Sequence, residues 1–325
     1  MLKKSLLLTS CAAMMAFATM SGSAVADAYP GKPITIVVPY SPGGATDLVA
    51  RTIAEKLTQR LGKPVIVENK PGGSGAVAND YVRRQPADGY TLYGVATPFS
   101  TGPLTNPSIH KYDPLVDFTP IVRTSEMVTV IAVNKDFPAK NVAELISYAK
   151  ANPGALNVAT TGAGSSDHLL PIRIAQVAGV EFNYVHYKGS VQGIQDVIGG
   201  MVHFKYDALS SVRPHIESGR LRGLALATEH RSGIMPGLPT LSETLPGVFT
   251  RAYTGLLGPA GLKPGIVDLL NREVNAIMQL PDVRERLSGL GLEPVQNTPG
   301  EFVEYLKGQI QFQREAIEAA GIVFE

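Results

Sequence analysis

The sequence has a single cysteine in its 325 residues, and that cysteine, Cys11, lies close to the amino terminus. It falls within a segment that we predict to be removed on export, so the mature chain would contain none. Disulfide bonds and thiolate metal sites are therefore excluded for the mature chain. The histidines show no H-E-x-x-H or comparable spacing, and we predict neither a metal site nor a cofactor.

The sequence also lacks an excess of charge of either sign. It contains 29 Lys and Arg residues against 28 Asp and Glu residues. Removal of Lys3 and Lys4 with the amino-terminal segment leaves 27 basic against 28 acidic residues, a net charge of −1. A nearly neutral chain has no electrostatic basis for binding nucleic acid or an anionic membrane.

Motifs of nucleotide-binding proteins and hydrolases are missing as well. No segment matches the phosphate-binding loop G-x-x-x-x-G-K-[ST], and Asp167 stands where a third glycine would complete a dinucleotide fingerprint after Gly162 and Gly164. The G-x-S-x-G elbow of serine hydrolases is absent, because Gly72–Ala76 fails at its last position. We therefore predict that the protein is not an enzyme.

The amino terminus carries an export signal. Two lysines precede the apolar run Leu6–Met20, and Ala24–Ala26 forms an A-x-A cleavage site, with Ala26–Ala28 as a close alternative. We predict that residues 1–26 are a cleavable signal peptide and that the mature protein lies in the periplasm. No later apolar stretch is long enough to span a bilayer.

The mature chain starts with a strand, a glycine-rich turn and a helix. The apolar run Ile34–Val38 predicts a buried strand, and apolar residues at helical spacing follow a turn that contains Gly43 and Gly44. Such a turn faces the free N–H groups and the positive end of the helix dipole, which favours an anion. An ordinary tight turn between strand and helix explains this stretch alone equally well.

The same arrangement recurs in the middle of the chain. Leu156–Ala159 predicts a strand, Thr160–His168 is rich in glycine and hydroxyl side chains, and a helix follows. Two such units predict two α/β lobes that face a cleft. Backbone N–H groups and hydroxyls in the two turns can hold a carboxylate without an arginine or lysine.

We therefore predict an α/β fold with two lobes, each a mainly parallel sheet flanked by helices. Lobe 1 comprises residues 27–127 plus 252–325, and lobe 2 comprises residues 128–251. The two crossing strands between them are expected to form a hinge.

Three local features refine this prediction. Thr298 and Glu301 surround a proline at the start of a long C-terminal helix, which we expect to cover the sheet of lobe 1. Pro107–Pro120 is expected to be irregular, because proline and aspartate are frequent there. Ser190 is expected to cap a helix.

Seven motifs spread over the mature chain are typical of one known family. They are Tyr29–Arg51, Val67–Gly75, Ala87–Leu92, Gly162–Leu169, Tyr187–Gly189, Tyr206-Asp207 and Pro214–Ile216. Through them the chain resembles the Bug proteins, the extracytoplasmic solute receptors of tripartite tricarboxylate transporters. The resemblance implies a periplasmic binding protein fold, whose lobes close on a small organic carboxylate and deliver it to membrane permease subunits.

In that family two loops hold one ligand carboxylate, partly through ordered water. The positions that match these loops are Tyr40, Ser41, Gly43, Gly44, Ala45, Thr46 and Asp47 in lobe 1 and Thr161, Gly162, Ala163, Gly164, Ser165, Ser166 and His168 in lobe 2. The resemblance implies that Thr97 and Asp207 shape the distal half of the pocket.

The resemblance leaves the ligand open. Known ligands of the family include dicarboxylates, tricarboxylates, acidic amino acids, aromatic acids and nicotinamide-type amides. We expect a monomer that binds a small organic carboxylate. Two alternatives stay open, namely an uncharged amide as the ligand and a periplasmic co-receptor that reports its ligand to a signalling partner.

Two side chains have a structural interpretation beside the binding one. Asp47 stands at a helix start, where an acid is favourable without any ligand. Lys205 departs, with His203, from the family pattern before Asp207, and it shares a strand face with Asp207. A local ion pair of Lys205 is our first interpretation. The second is that Lys205 reaches the cleft and neutralises a second ligand carboxylate.

Overall fold

The computed structural model describes residues 29–321 with the exception of 163 and 164. The predicted signal peptide, residues 1–26, lies outside the described residues. Within them the strands are β1 Ile34–Val38, β2 Val65–Asn69, β3 Thr91–Ala96, β4 Phe118–Met127, β5 Thr129–Asn134, β6 Leu156–Thr160, β7 Phe182–His186, β8 Phe204–Ala208, β9 Leu221–Leu226, β10 Tyr253–Pro259 and β11 Leu292–Pro294.

The α-helices of the same part of the chain alternate with these strands. They are α1 Ala45–Leu61, α2 Ala76–Arg83, α3 Pro98–Thr105, α4 Val142–Ala151, α5 Ser166–Ala178, α6 Ser190–Ile198, α7 Leu209–Glu217, α8 Pro264–Met278, α9 Pro281–Gly289 and α10 Pro299–Ala320. Both predicted strand–turn–helix units are present, since β1 leads into α1 and β6 leads into α5.

The strands form two separate sheets, one in each lobe. The lobe 1 sheet has the order β11-β4-β10-β3-β1-β2, and the lobe 2 sheet has the order β7-β6-β8-β5-β9. The predicted two-lobed α/β fold is confirmed. The sheets are mixed rather than mainly parallel, because β10 runs antiparallel to β3 and β4 and β5 runs antiparallel to β8 and β9.

The core of lobe 1 shows why these residues form these elements. Ile34, Ile36 and Val38 alternate along β1 and are fully buried. Helix α1 places Ile53 and Leu57 against the same core at helical spacing, so one face of the helix is removed from water. Burial of this apolar surface contributes about 25 cal/mol per Å² and holds the sheet to its helices.

The chain passes between the lobes at two adjacent segments. Strand β4 of lobe 1 continues into β5 of lobe 2 with only Val128 between them, and the return runs through residues 250–252. The N–H of Met127 donates to the carbonyl of Ala252 at 2.8 Å, so the two crossings are bonded to each other. The two lobes are therefore joined at one place, by two crossing segments that lie side by side. We call this place the waist.

The C-terminal helix α10 contacts both lobes. Thr298 and Glu301 form the predicted capping box at its start. Phe302 is fully buried in lobe 1 and meets the ring of Tyr253 at a centroid distance of 5.8 Å. Farther along, α10 packs against α5 of lobe 2. The prediction that this helix covers the lobe 1 sheet is correct but incomplete.

One local prediction is correct only in part, and another is wrong. Pro107–Pro120 is not irregular throughout, because β4 begins at Phe118, and its pairing with β10 is irregular between Leu256 and Leu257, where Pro120 lies. A proline is tolerated at such a break in the ladder. Ser190 is the first residue of α6 rather than its cap, which is Gly189. Among the described residues, no helix is both long and apolar enough to cross a membrane.

Replacement of Phe302 by alanine should detach α10 from lobe 1. Because Phe302 is fully buried, Phe302→Ala should lower the free energy of unfolding by about 3–5 kcal/mol, as is usual for a buried aromatic ring. Urea unfolding measures this change. Gln311→Ala on the exposed side of the same helix is the control and should stay within about 0.5 kcal/mol of the native protein. Equal effects of the two substitutions would contradict this role of Phe302.

Candidate ligand-binding cavity

A cavity of about 340 Å³ lies between the two lobes. It is bounded by the end of β3, the two crossing segments, the start of α5, the end of β8 and the inner side of α10. Its polar lining consists of Thr97, Thr129, Thr161, Ser166, Asp167, Arg173, Ser190, Tyr206, Asp207, Thr250, Arg251, Gln309 and Gln313. Its volume is within the usual range for a small-molecule site.

The carboxyl ends of parallel strands bring part of the predicted site together. Thr97, Thr161, Ser166 and Asp207, all predicted from the sequence, line this cavity. Thr97 follows β3, and its Oγ1 accepts a hydrogen bond from the N–H of Tyr253 at 3.1 Å, which fixes it to the second crossing. In α/β sheets this end of the strands is the usual place for a ligand.

The predicted turn of lobe 1 is described by the structure but does not line this cavity. Ser41, Gly43 and Gly44 are exposed, Tyr40 and Ala45 are half-buried against the lobe 1 core, and Thr46 is buried. No side chain caps α1 at Gly44.

The buried carboxylate of Asp47 holds this turn together through hydrogen bonds. Its carboxylate accepts hydrogen bonds from the N–H of Gly43 at 2.9 Å, from Arg51 at 2.9 Å and from the amide of Asn69 at 2.8 Å. Burial raises the pKa of Asp47, but the Arg51 guanidinium and these N–H donors outweigh it and hold the pKa below its usual value. Asp47 thus has the structural role that its place at the helix start suggested.

Asp167 plays the corresponding part in the turn of lobe 2. Its Oδ1 accepts from the N–H of Thr161 at 3.1 Å and from its hydroxyl at 2.8 Å, and it lies 2.5 Å from the Oγ of Ser165. The donors that we expected to hold a ligand carboxylate are therefore partly occupied by the carboxylate of the chain itself. Gly162 is half-buried and does not line the cavity, and Ala163 and Gly164 lie outside the described residues.

Lys205 is the cation that neutralises this turn. It is only 1% exposed, and its Nζ lies 2.6 Å from Oδ2 of Asp167 and 3.6 Å from Oδ2 of Asp207. Asp207 also accepts hydrogen bonds from the hydroxyl of Ser190 and from the N–H of Ala208. The local ion pair of Lys205 is confirmed, and Lys205 itself is not part of the cavity lining.

The surroundings of Asp167 favour its charged form. Burial raises the pKa of Asp167, but the Lys205 ammonium, the Ser165 hydroxyl and the Thr161 N–H together hold that pKa below its usual value. Asp167 is therefore ionised at neutral pH. Removal of Lys205 would leave its charge buried without a counterion.

His168 and His203 pack against other side chains of lobe 2. The ring of His168, which we predicted to contact the ligand, does not line the cavity, and it packs edge-on against Tyr184 and His186. His203 accepts a hydrogen bond from the N–H of Asn157 at 2.9 Å and packs on Phe137. Burial lowers the pKa of both His168 and His203. No group of three metal-ligating side chains occurs in the part of the chain that the structure describes.

The sequence interpretation missed the charged group that is open to the cavity. Arg173, on α5, is half-buried in the cavity wall. Among the described residues it has neither an ion-pair partner nor a hydrogen-bond partner. Arg251, also in the wall, is by contrast paired with Glu229 at 3.3 Å. An arginine in the middle of a helix gives no local signal of a binding role, because its place in the cavity wall depends on how distant elements pack around it.

The cavity is also lined by an unexpected pair of amides. Gln309 and Gln313 of α10 are 3% and 9% exposed and belong to its wall. The Oε1 atom of Gln309 is buried and has no hydrogen-bond partner among the described residues. Spacing of four residues places the two amides on one side of the helix, but the sequence does not show which lobe that side faces.

Most of the chain is similar to a family of transporter receptors. The family model described as "Tripartite tricarboxylate transporter family receptor" matches residues 49–322. BugT of Bordetella pertussis is 34% identical over 300 residues, which cover 91% of this chain and 92% of that protein.

Solved structures agree with the sequence comparison. An R. palustris protein solved with adipate is 33% identical, with a TM-score of 0.75, and the match covers 91% of this chain and 100% of that one. MatC from Rhodopseudomonas palustris, solved with bound malate, is 30% identical, with a TM-score of 0.68 and coverage of 89% and 100%. Proteins of this family are periplasmic solute receptors and not enzymes. On these matches, the chain belongs to the receptors of the tripartite tricarboxylate transporter family, to which the Bug proteins also belong.

Proposed function

We propose that this receptor captures a small organic carboxylate in the cavity between its lobes and delivers it to the membrane subunits of a tripartite transporter. The observation that carries the proposal is Arg173, which lines the cavity and has no anionic partner among the described residues. A half-buried, unpaired cation is costly, and a ligand carboxylate would supply the missing charge. The relatives solved with adipate and malate, both carboxylates, support this ligand class.

We assign the two turns predicted from the sequence a role in closure of the lobes on the ligand. Asp47 and Asp167 keep them in shape, while the N–H groups at the start of α1 have no side-chain cap at Gly44. We propose that closure of the lobes carries residues 41–46 toward the cavity, where these N–H groups meet the ligand. Contacts made only in the closed state favour that state, so ligand binding drives the closure.

A thermal-shift screen tests the ligand class. At 100 times its Kd, a bound carboxylate should add about 2.7 kcal/mol to the free energy of unfolding, because it binds only the folded protein. The screen compares organic acids with their neutral amides at one pH. A shift with an amide and none with any acid would contradict the proposal and favour an uncharged ligand.

Removal of the free guanidinium should weaken binding without unfolding the protein. Arg173→Met should weaken a dicarboxylate roughly 10- to 100-fold in calorimetry, the range expected for a lost charge-assisted hydrogen bond. Arg213→Met, on α7 in the same lobe and outside the cavity lining, is the control and should bind like the native protein. Equal affinities for all three proteins would show that Arg173 does not contact the ligand.

Removal of the buried lysine should act on stability instead. Lys205→Met leaves the carboxylates of Asp167 and Asp207 facing each other without a cation, and it should lower the free energy of unfolding by about 3–5 kcal/mol at neutral pH. Urea unfolding measures the loss. The double variant Lys205→Met/Asp167→Asn removes one buried charge as well and should recover part of it. No recovery in the double variant would contradict the triad as the cause.

The stability gap between native and Lys205→Met protein should depend on pH. In the native protein the folded-state pKa of Asp167 is lowered, so its contribution is present at neutral pH and is lost as the pH falls through that pKa. In the variant, burial without Lys205 raises the pKa of Asp167, so acidification stabilises the folded variant by protonating it. The gap should therefore narrow from pH 7 to pH 4. A constant gap would exclude an electrostatic cause.

A further inference from the structure

Two amides interrupt the buried side of α10. The most buried residues of this helix are Phe302, Leu306, Gln309, Gln313 and Ile317. Their spacing of three or four residues places them on one side of the helix. Apolar residues usually occupy such positions, because they give up no hydrogen bonds to water when they are buried. Glutamines at the two central positions therefore need an explanation.

These two amides lie in the wall of the cavity. Gln309 and Gln313 both line it, and α10 packs against α5 of the other lobe. Burial of an amide costs free energy unless the amide is hydrogen-bonded. The Oε1 atom of Gln309 is buried and accepts no hydrogen bond from any described residue. This acceptor needs an N–H or O–H donor.

Hydroxyl groups of the same wall already donate inside the protein. The hydroxyl of Thr161 donates to Asp167 at 2.8 Å, and that of Tyr206 donates to Thr250 at 3.1 Å. A hydroxyl has one hydrogen to donate, so these two groups are not available to Gln309. A molecule bound in the cavity can supply the donor instead.

The charges of the wall indicate that this donor is uncharged. Asp167 and Asp207 are the acidic residues of the described lining, and Lys205 pairs with both. Arg173 lies in the same wall without an anionic partner among the described residues. An ammonium group would meet this cation and no free carboxylate. A ligand carboxylate, in turn, has no hydrogen to donate at neutral pH.

We propose that Gln309 determines the ligand specificity of this receptor, because its Oε1 accepts a hydrogen bond from an uncharged N–H or O–H group of the ligand. The ligand is then a carboxylate that also carries an amide or a hydroxyl. A carboxylate without such a donor leaves Gln309 unpaired and binds more weakly. The inference rests on the proposed function, which assigns the carboxylate itself to Arg173 in the same cavity.

Calorimetry with matched pairs of acids tests the inference. Glutaric acid monoamide is compared with the keto acid of the same shape, in which a methyl group replaces the amide nitrogen. The ω-hydroxy derivative of pentanoate is compared with hexanoate, in which a methyl group replaces the hydroxyl. In at least one pair the acid with the donor should bind roughly 10-fold more tightly, and that pair identifies the donor as amide or hydroxyl.

A substitution assigns this preference to Gln309. Gln309→Met keeps the length of the side chain and removes its acceptor, so it should weaken the donor-bearing acid roughly 10-fold and leave its partner within about 2-fold. Gln311→Met, exposed on the same helix, is the matched control and should keep the preference. Urea unfolding of Gln309→Met should show no loss of stability, because Oε1 has no partner in the described protein. A loss of stability with an unchanged preference would show that Gln309 serves the fold and would overturn the inference.

Other outcomes separate this inference from the proposed function. If both members of each pair bind equally and Arg173→Met weakens them, the inference fails while the proposed function stands. The same holds if a diacid binds and neither donor-bearing acid does. Tighter binding of the ω-amino derivative of pentanoate than of both uncharged donors would make the donor a cation and would overturn the inference alone. If no carboxylate binds the native protein, both fail.

Discussion

A buried lysine holds the inner surface of lobe 2 in place. The ammonium of Lys205 lies 2.6 Å from Asp167, at the start of α5, and 3.6 Å from Asp207, at the end of β8. Burial of three charges costs free energy, and only close pairing offsets that cost. The triad ties the turn after β6 to the neighbouring strand β8. The contact lies at the start of α5, the helix that carries Ser166, Leu169, Leu170 and Arg173 of the cavity lining.

The two turns that the sequence suggested as anion sites are stabilised in the same way. Each has an aspartate in the first turn of its helix, Asp47 or Asp167, which bonds back to an N–H of its own turn. Each aspartate is in turn paired with a base, Arg51 or Lys205. The positive end of a helix was correctly expected to attract an anion. In the described structure that anion is supplied by the chain, and the unpaired cation lies farther along α5.

Local patterns predicted the elements well. Ile34–Val38 has the apolar run of a buried strand, and Thr298 with Glu301 specifies the start of α10 at short range. Strand β4 was missed because its first residues include proline, and its place in the sheet depends on pairing with β10, which is distant in sequence. The two-residue period of a strand predicted that Lys205 lies on the same face as Asp207. Its closer partner Asp167 follows another strand, and only the pairing of β6 with β8 brings the two together. For the same reason the sequence could not identify Arg173 and Gln309 as cavity residues, because their place in the wall depends on how α10 packs on α5.

The C-terminal helix has a consequence for the way the lobes move. A body joined to another by two adjacent strands can bend and twist about one axis through the waist. Helix α10 is anchored in lobe 1 by Phe302, and its later turns rest on α5 of lobe 2, which adds a third point of support away from that axis. A third contact away from that axis restricts how one lobe can rotate relative to the other. The closure proposed above would then include sliding of α5 along α10, a shear between packed helices. The helix surfaces that line the cavity would thus belong to the same two helices that slide past each other.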